Sequence, residues 1–121
     1  MEQKDYYETL GLTDSADVKQ IRDAYRRLAL LHHPDRNQNS PEAAERMKEI
    51  NEAYAVLSDP VKRREYDTFK TSYGSSAYGR YRQMHTDQDI FRGSDIQQIF
   101  EELSRAFGYR SFEDIFRDAY G

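Results

Sequence analysis

The chain contains no cysteine and no tryptophan among its 121 residues, and only three prolines. Without thiols it cannot form disulfide bonds, thiolate zinc sites or a cysteine nucleophile. Leucine, isoleucine, valine and phenylalanine together supply only 22 residues, so any hydrophobic core must be small. The length suits one domain of about 100–200 residues and excludes a large two-domain enzyme.

The chain also lacks any apolar run that approaches the roughly 18 residues needed to span a membrane. Its first residues are acidic and polar, unlike the basic and then apolar start of a secretory leader. Together with the missing cysteines, these features favour a cytoplasmic protein. The net charge of −4 is not the basic excess typical of nucleic-acid binding. We therefore expect neither nucleic acid nor a membrane as a partner.

Apolar residues spaced three and four apart predict two long amphipathic helices. The first is predicted over residues 16–32, with Ser15 as its N-cap and Pro34 as its end. The second is predicted over residues 41–57, with Ser40 as its cap. Their short connection predicts an antiparallel helical hairpin. The apolar positions are Val18, Ile21, Tyr25, Leu28, Ala43, Met47, Ile50, Tyr54 and Leu57.

Two shorter helices are predicted beside this hairpin. One runs from Tyr6 and closes at Gly11, and a charged helix begins at Asp59 and continues to about Asp67. We therefore predict an all-α, four-helix domain over residues 1–69.

The remainder of the chain divides into two parts. Residues 70–93 lose the helical periodicity among glycine, serine and tyrosine, which predicts a flexible linker. Residues 94–121 form an amphipathic helical tail, with a helix expected at about 95–107 and a last short helix after it. The start and stop signals are the pair Ser94 and Gln97, then Gly108 and Ser111.

His32, His33 and Asp35 are the only cluster of potential metal ligands in the sequence. Adjacent histidines at a helix end point to different sides, and no further histidine or cysteine completes a tetrahedral set. The chain has neither a phosphate-cradling glycine loop nor a nucleophile motif. We expect no metal, no cofactor and no catalytic activity of its own.

A basic stripe occupies the outward face of the first long helix, formed by Lys19, Arg22, Arg26 and Arg27. Such a stripe is either a solvated helix face or a docking surface for an acidic protein. The stripe leads into His33, Pro34 and Asp35, an expected exposed turn at the helix end that combines a hydrogen-bond donor, a fixed bend and a carboxylate. That neighbourhood favours docking.

Several segments match one family pattern in register over residues 4–67. They are Asp5-Tyr6-Tyr7-Glu8, Leu10-Gly11-Leu12, Ile21-Arg22, Ala24-Tyr25-Arg26-Arg27-Leu28-Ala29, His33-Pro34-Asp35-Arg36-Asn37, Ile50 through Pro60, and Lys62-Arg63-Arg64-Glu65-Tyr66-Asp67. On these segments the chain resembles the J domain of the DnaJ co-chaperone family. The four helices predicted above occur in the same order in that family.

The resemblance implies binding to a DnaK-type (heat-shock-70) ATPase chaperone and stimulation of its ATP hydrolysis, with the catalytic groups in the partner. It assigns chaperone binding to His33, Pro34, Asp35, Arg22, Arg26, Arg27, Arg36 and Asn37. Residues 62–64 match a more variable basic motif and are either a docking or a solvated surface. An unfolded client is a further candidate partner. The rival interpretation is an interaction scaffold that stimulates no ATPase.

The apolar tail must pack on something, because so short a helix is unstable in isolation. The candidates are the J domain, a second copy of the chain, or a client. The resemblance favours the first, an autoinhibitory tail in which Asp89 and Asp114 approach the basic stripe. Dimerisation through the same face is the alternative. The apolar tail residues are Ile90, Phe91, Ile96, Phe100, Leu103, Phe107, Ile115 and Phe116.

Overall fold

A computed structural model describes residues 4–117 of the chain, and this part contains helices and no strands. The all-α class is therefore confirmed for the described residues. In chain order the helices are α1 Tyr6–Thr9, α2 Val18–Leu31, α3 Pro41–Leu57, α4 Pro60–Tyr73, α5 Ala77–Met84, α6 Asp87–Phe91, α7 Ile96–Phe107 and α8 Phe112–Phe116, with a 3-10 turn at Gly74–Ser76.

Side-chain caps explain where the central helices begin. The side chains of Ser40 and Asp59 accept backbone N–H bonds from the first turns of α3 and α4, as predicted. The prediction of Ser15 as the cap of α2 is wrong. Asp17 caps α2 in a reciprocal capping box with Gln20, while the Ser15 hydroxyl bonds the Thr13 hydroxyl at 2.8 Å.

The hydrophobic core takes residues from all eight helices, and its hairpin part lies between α2 and α3. The rings of Tyr25 and Tyr54 stack with centroids 4.4 Å apart, and the Tyr25 hydroxyl donates to the buried Asn51 Oδ1 at 2.8 Å. Ile21 and Leu57 are fully buried beside this pair. Val18, expected on the apolar stripe, is instead 52% exposed, because it occupies the first turn of α2 at the edge of the interface.

The expectation that residues 70–93 lack regular structure is wrong. The charged helix α4 continues past Asp67 to Tyr73, and α5 and α6 occupy most of the expected linker. Tyr81 of α5 is buried, and its ring packs edge-on against Tyr66 with centroids 5.8 Å apart. Sequence periodicity does not reveal α5 because only two of its residues, Ala77 and Tyr81, are buried. Packing rather than intrinsic propensity therefore stabilises α5.

The tail contains the two expected helices. Gly108 ends α7 in the left-handed conformation with φ +71°, and the Ser111 hydroxyl accepts the Asp114 N–H at 3.1 Å to begin α8. The expected pairing of Ser94 with Gln97 is absent. Asp95 is the N-cap of α7, but its side chain makes no capping hydrogen bond, and the Ser94 hydroxyl accepts the Ile96 N–H at 3.2 Å.

Replacing large side chains in the hairpin core with alanine should destabilise the domain without removing any surface contact. We expect Tyr25→Ala and Leu57→Ala each to lower the free energy of unfolding by about 2–5 kcal/mol, since each leaves a cavity between α2 and α3. Denaturant titration measures this change. The matched control is Val18→Ala, which should stay within about 0.5 kcal/mol of the parent because Val18 is exposed. Equal stability of all three variants would contradict the core described here.

Candidate functional site

The turn that follows α2 is held by its own backbone and by one amide side chain. The N–H groups of Arg36 and Asn37 both donate to the His33 carbonyl at 3.0 Å. The Asn37 side-chain nitrogen donates to the carbonyls of Leu31 and His33, at 2.8 and 2.9 Å. These bonds satisfy carbonyls that the end of α2 leaves free. Asn37 therefore shapes the turn, and its role in docking stays a prediction.

The hydrogen bonds of His33 define its tautomer. Nδ1 lies 3.0 Å from the backbone nitrogen of Asp35, and Nε2 lies 2.9 Å from the Ser104 hydroxyl. A backbone N–H can only donate, so Nδ1 must be the unprotonated acceptor. In the neutral ring Nε2 then carries the hydrogen and donates it to Ser104. The imidazole is thus bonded at both nitrogens.

The expectation that His33 is exposed at a helix end is wrong, since it is only 1% exposed. Its ring stacks on Phe100 with centroids 4.7 Å apart and packs against Tyr109 with centroids 4.4 Å apart. Burial lowers the pKa of His33, an effect that Asp35 opposes and Arg110 reinforces. Because the covering residues lie about 70 positions away in the sequence, local periodicity could not reveal them.

We call residues 96–116 the lid, because they cover this turn. The lid also engages Asp35, whose carboxylate accepts from the backbone N–H, Nε and Nη2 of Arg110, all at 2.7 Å. Burial alone raises the pKa of Asp35, but these bonds and the guanidinium charge outweigh it and hold that pKa below its usual value. Asp35 is therefore ionised and already paired. Arg110 was not among the predicted site residues, and no sequence signal distinguishes it from other exposed arginines.

The acids expected to reach the basic stripe do not do so. Asp89 lies near Arg92 and Thr86, and Asp114 pairs with Arg117. The lid residue that approaches the stripe is Glu102, 3.7 Å from Arg26. Asp89 and Asp114 lie in the first turns of the short helices α6 and α8. Asp89 takes part in the capping box with Thr86, and the Asp114 N–H donates to the Ser111 hydroxyl. Arg22, Arg26 and Arg27 all remain exposed.

The predicted apolar tail residues differ in how far they are buried from solvent. Phe100 is fully buried and its ring contacts Phe112 and Phe116 with centroids 5.5 and 5.4 Å apart. Phe107 is 54% exposed and contributes little to the cover. The buried members are Ile90, Ile96, Phe100 and Phe116, and the partly buried members are Phe91, Leu103 and Ile115.

The basic motif of α4 has internal partners. Lys62 Nζ donates to the carbonyls of Ile90 and Arg92, at 2.9 and 2.6 Å, and its side chain is only 17% exposed. Burial lowers the pKa of Lys62. Arg63 donates to the carbonyls of Asp14 and Ala16. These two residues therefore form neither a solvated face nor a free docking surface. Lys62 ties the end of α6, and with it the start of the lid, to α4.

Within residues 4–117 no three histidine, cysteine, aspartate or glutamate side chains are placed to hold one metal ion. In the same part of the chain no helix is both long and apolar enough to cross a membrane.

A helical hairpin whose connecting turn contains His33, Pro34 and Asp35 beside a basic helix face is the arrangement expected of a J domain. The DnaJ domain family model matches residues 5–67, and the chain belongs to this family. Over 119 residues it is 43% identical to the chaperone protein DnaJ of Caldicellulosiruptor saccharolyticus, covering 98% of this chain and 28% of the relative. Over 69 residues it is 58% identical to the chaperone protein DnaJ of Clostridium novyi, covering 57% of this chain and 18% of the relative.

A solved structure agrees with this assignment. The J-Trx1 fragment of ERdj5 matches at a TM-score of 0.56 and 33% identity, over 75% of this chain and 38% of that chain. The chain spans only 28% and 18% of the length of these two curated relatives.

Removal of the Lys62 ammonium should loosen the lid while leaving the hairpin folded. Lys62→Met leaves two carbonyls at the end of α6 without their donor, so we expect amide exchange in α6 and α7 to accelerate about tenfold. Hydrogen exchange read by NMR measures this effect. Arg64→Met, at an exposed position of the same helix, is the control and should leave exchange unchanged. If the two variants behave alike, Lys62 does not secure the lid.

Proposed function

We propose that this chain acts as a J-domain co-chaperone that binds a DnaK-type heat-shock-70 chaperone and stimulates its ATP hydrolysis. Membership of the DnaJ domain family supports this proposal. The groups that hydrolyse ATP then belong to the chaperone, and this chain needs no catalytic residue. A cytoplasmic location stays a prediction. Binding of an unfolded client by this chain stays a prediction.

The arrangement of the site suggests how docking would proceed. The exposed Arg22, Arg26 and Arg27 form a positive face that steers an acidic surface towards α2. His33 and Asp35 then offer directional hydrogen bonds at the end of that face. Stimulation requires that the complex form more tightly with the hydrolysis-competent state of the chaperone than with its other states. Affinity alone does not accelerate hydrolysis.

The lid is the second part of the proposal, and burial of His33 beneath it is the observation that carries it. With the lid closed, aromatic rings pack on His33 and Arg110 occupies the Asp35 carboxylate. A chaperone that needs these groups must displace the lid. Its apparent affinity is then the affinity for the open form multiplied by the fraction of molecules in which the lid is open. We therefore propose that the tail is autoinhibitory.

Substitution of His33 separates a co-chaperone from a scaffold. We expect the parent chain to accelerate single-turnover ATP hydrolysis by the cognate chaperone, and His33→Gln to abolish that acceleration with the hairpin still folded by circular dichroism. His32→Gln, at the neighbouring C-cap position of α2, is the control and should stimulate normally. If the parent chain gives no acceleration at saturating concentration, the scaffold function replaces the co-chaperone function.

Opening of the lid should increase chaperone binding. We expect the double variant Ile99→Ala/Phe100→Ala, which removes buried lid side chains, to bind the chaperone about tenfold more tightly than the parent. Gln98→Ala, exposed on the same helix, should bind like the parent. Calorimetric titration measures both affinities.

The same double variant tests the dimer alternative. Equal affinity combined with a fall in apparent mass by analytical ultracentrifugation would show that the tail joins two copies of the chain. In the described residues α7 packs on α2 and α3 of its own chain, which favours an unchanged monomer mass.

A further inference from the structure

We propose that closure of the lid is coupled to the protonation state of His33, so that acidification from neutral pH to about pH 5.5 opens the lid. The inference rests on the proposed function only in taking the lid to cover the docking site. It adds a proton as the chemical signal that releases this cover.

The geometry around His33 leaves no place for a second ring proton. Nδ1 accepts the Asp35 N–H, and Nε2 is bonded to the Ser104 hydroxyl. Protonation places a hydrogen on Nδ1, directly opposite the hydrogen of that backbone N–H. The bond that closes the turn is then lost, and two donors face each other. The closed arrangement therefore requires the neutral imidazole.

The groups packed around the ring do not offset this loss. The lid side chains that touch it are the Phe100 ring, the Ser104 hydroxyl and the Tyr109 phenol, none of which is a carboxylate or an amine. The faces of the aromatic rings packed on His33 would attract the protonated imidazole only weakly. The charged groups that act on it are Asp35, from the turn, and Arg110, from the end of the lid. Because Arg110 binds the Asp35 carboxylate, the pair presents little net charge to the ring.

The direction of the coupling follows from burial of the ring. The closed state binds a proton at His33 less readily than an open state in which the ring meets water, since burial lowers the pKa of His33. Closure is therefore fully favoured above the ordinary histidine pKa of about 6.5. As the pH falls below that value, the closing equilibrium weakens by up to tenfold per pH unit, until it reaches the lowered pKa of the closed state.

Other titrating groups can be separated from His33. Carboxylates ordinarily titrate near pH 4, below this window, and the pKa of Asp35 is lowered further. Burial raises the pKa of Glu52, but its partners are Tyr6 of α1 and Arg82 of α5 and not the His33 ring. The two remaining imidazoles are His32 and His85. His85 contacts Glu65 and Tyr81, at the α4–α5 side of the molecule. Conservative replacement of each by glutamine leaves His33 as the only imidazole whose titration reports on the lid.

The experiment is an NMR titration of the full chain from about pH 8 to pH 5. It follows the imidazole signals and the α7 amide signals in the parent and in Ile99→Ala/Phe100→Ala, which alters no charge. We expect His33 to titrate at a lower pH in the parent than in the double variant, because burial of the ring under the closed lid disfavours its charged form. The α7 signals of the parent should move towards those of the double variant as His33 titrates. Gln98→Ala, His32→Gln and His85→Gln should reproduce the parent.

Two results would overturn the inference, and they are distinguishable. If His33 titrates alike in the parent and the double variant although their α7 signals differ at pH 7.5, the lid closes without proton coupling and the proposed autoinhibition stands. If the α7 signals of the two already coincide at that pH, the lid is open in solution, and the proposed autoinhibition fails as well. Unchanged α2 and α3 signals verify that the hairpin is folded in both.

Discussion

Burial of the His33 ring is the constraint on which the arrangement of the site depends. A polar ring removed from water must keep its nitrogens bonded, because an unpaired buried polar group is costly. Here the Asp35 N–H and the Ser104 hydroxyl meet that requirement from opposite sides. One bond closes the turn after α2, and the other sets where α7 lies across it. Turn shape, tautomer and lid position are therefore parts of a single arrangement.

The rest of the tail brings the lid to that position. Tyr81 anchors α5 among the tyrosines of α1 and α4, and Lys62 together with the buried Ile90 holds α6. Only residues 92–95 separate α6 from α7. So short a connection keeps the lid at a high effective concentration near the turn. The segments predicted to form a flexible linker therefore pack at fixed positions on the rest of the protein.

Apolar burial and charge contribute differently to closure. Arg26 and Glu102 are both half-exposed at 3.7 Å, and such pairs stabilise a structure by only about 0–1 kcal/mol. The Phe100 ring is fully buried against His33, Phe112 and Phe116, and aromatic burial of this kind is worth several times more. Arg110 adds direction, since its planar group matches the Asp35 carboxylate. The rings hold the lid closed, and the charged groups orient it.

The sequence by itself determined the elements whose signals are local. The spacing of apolar residues defined α2, α3 and α7, Ser40 and Asp59 marked helix starts, and Gly108 marked a stop. The turn containing His33 and Asp35 was also found, because its residues are contiguous. Only the tertiary structure decided that His33 is buried, that α5 is helical, and that Lys62 and Arg110 bind the lid and the turn. Each of these depends on residues 28 to 75 positions apart or on a single inward face too short to show a period. Propensity and periodicity act over a few residues, whereas the burial of a side chain depends on which distant segments pack against it in the folded chain.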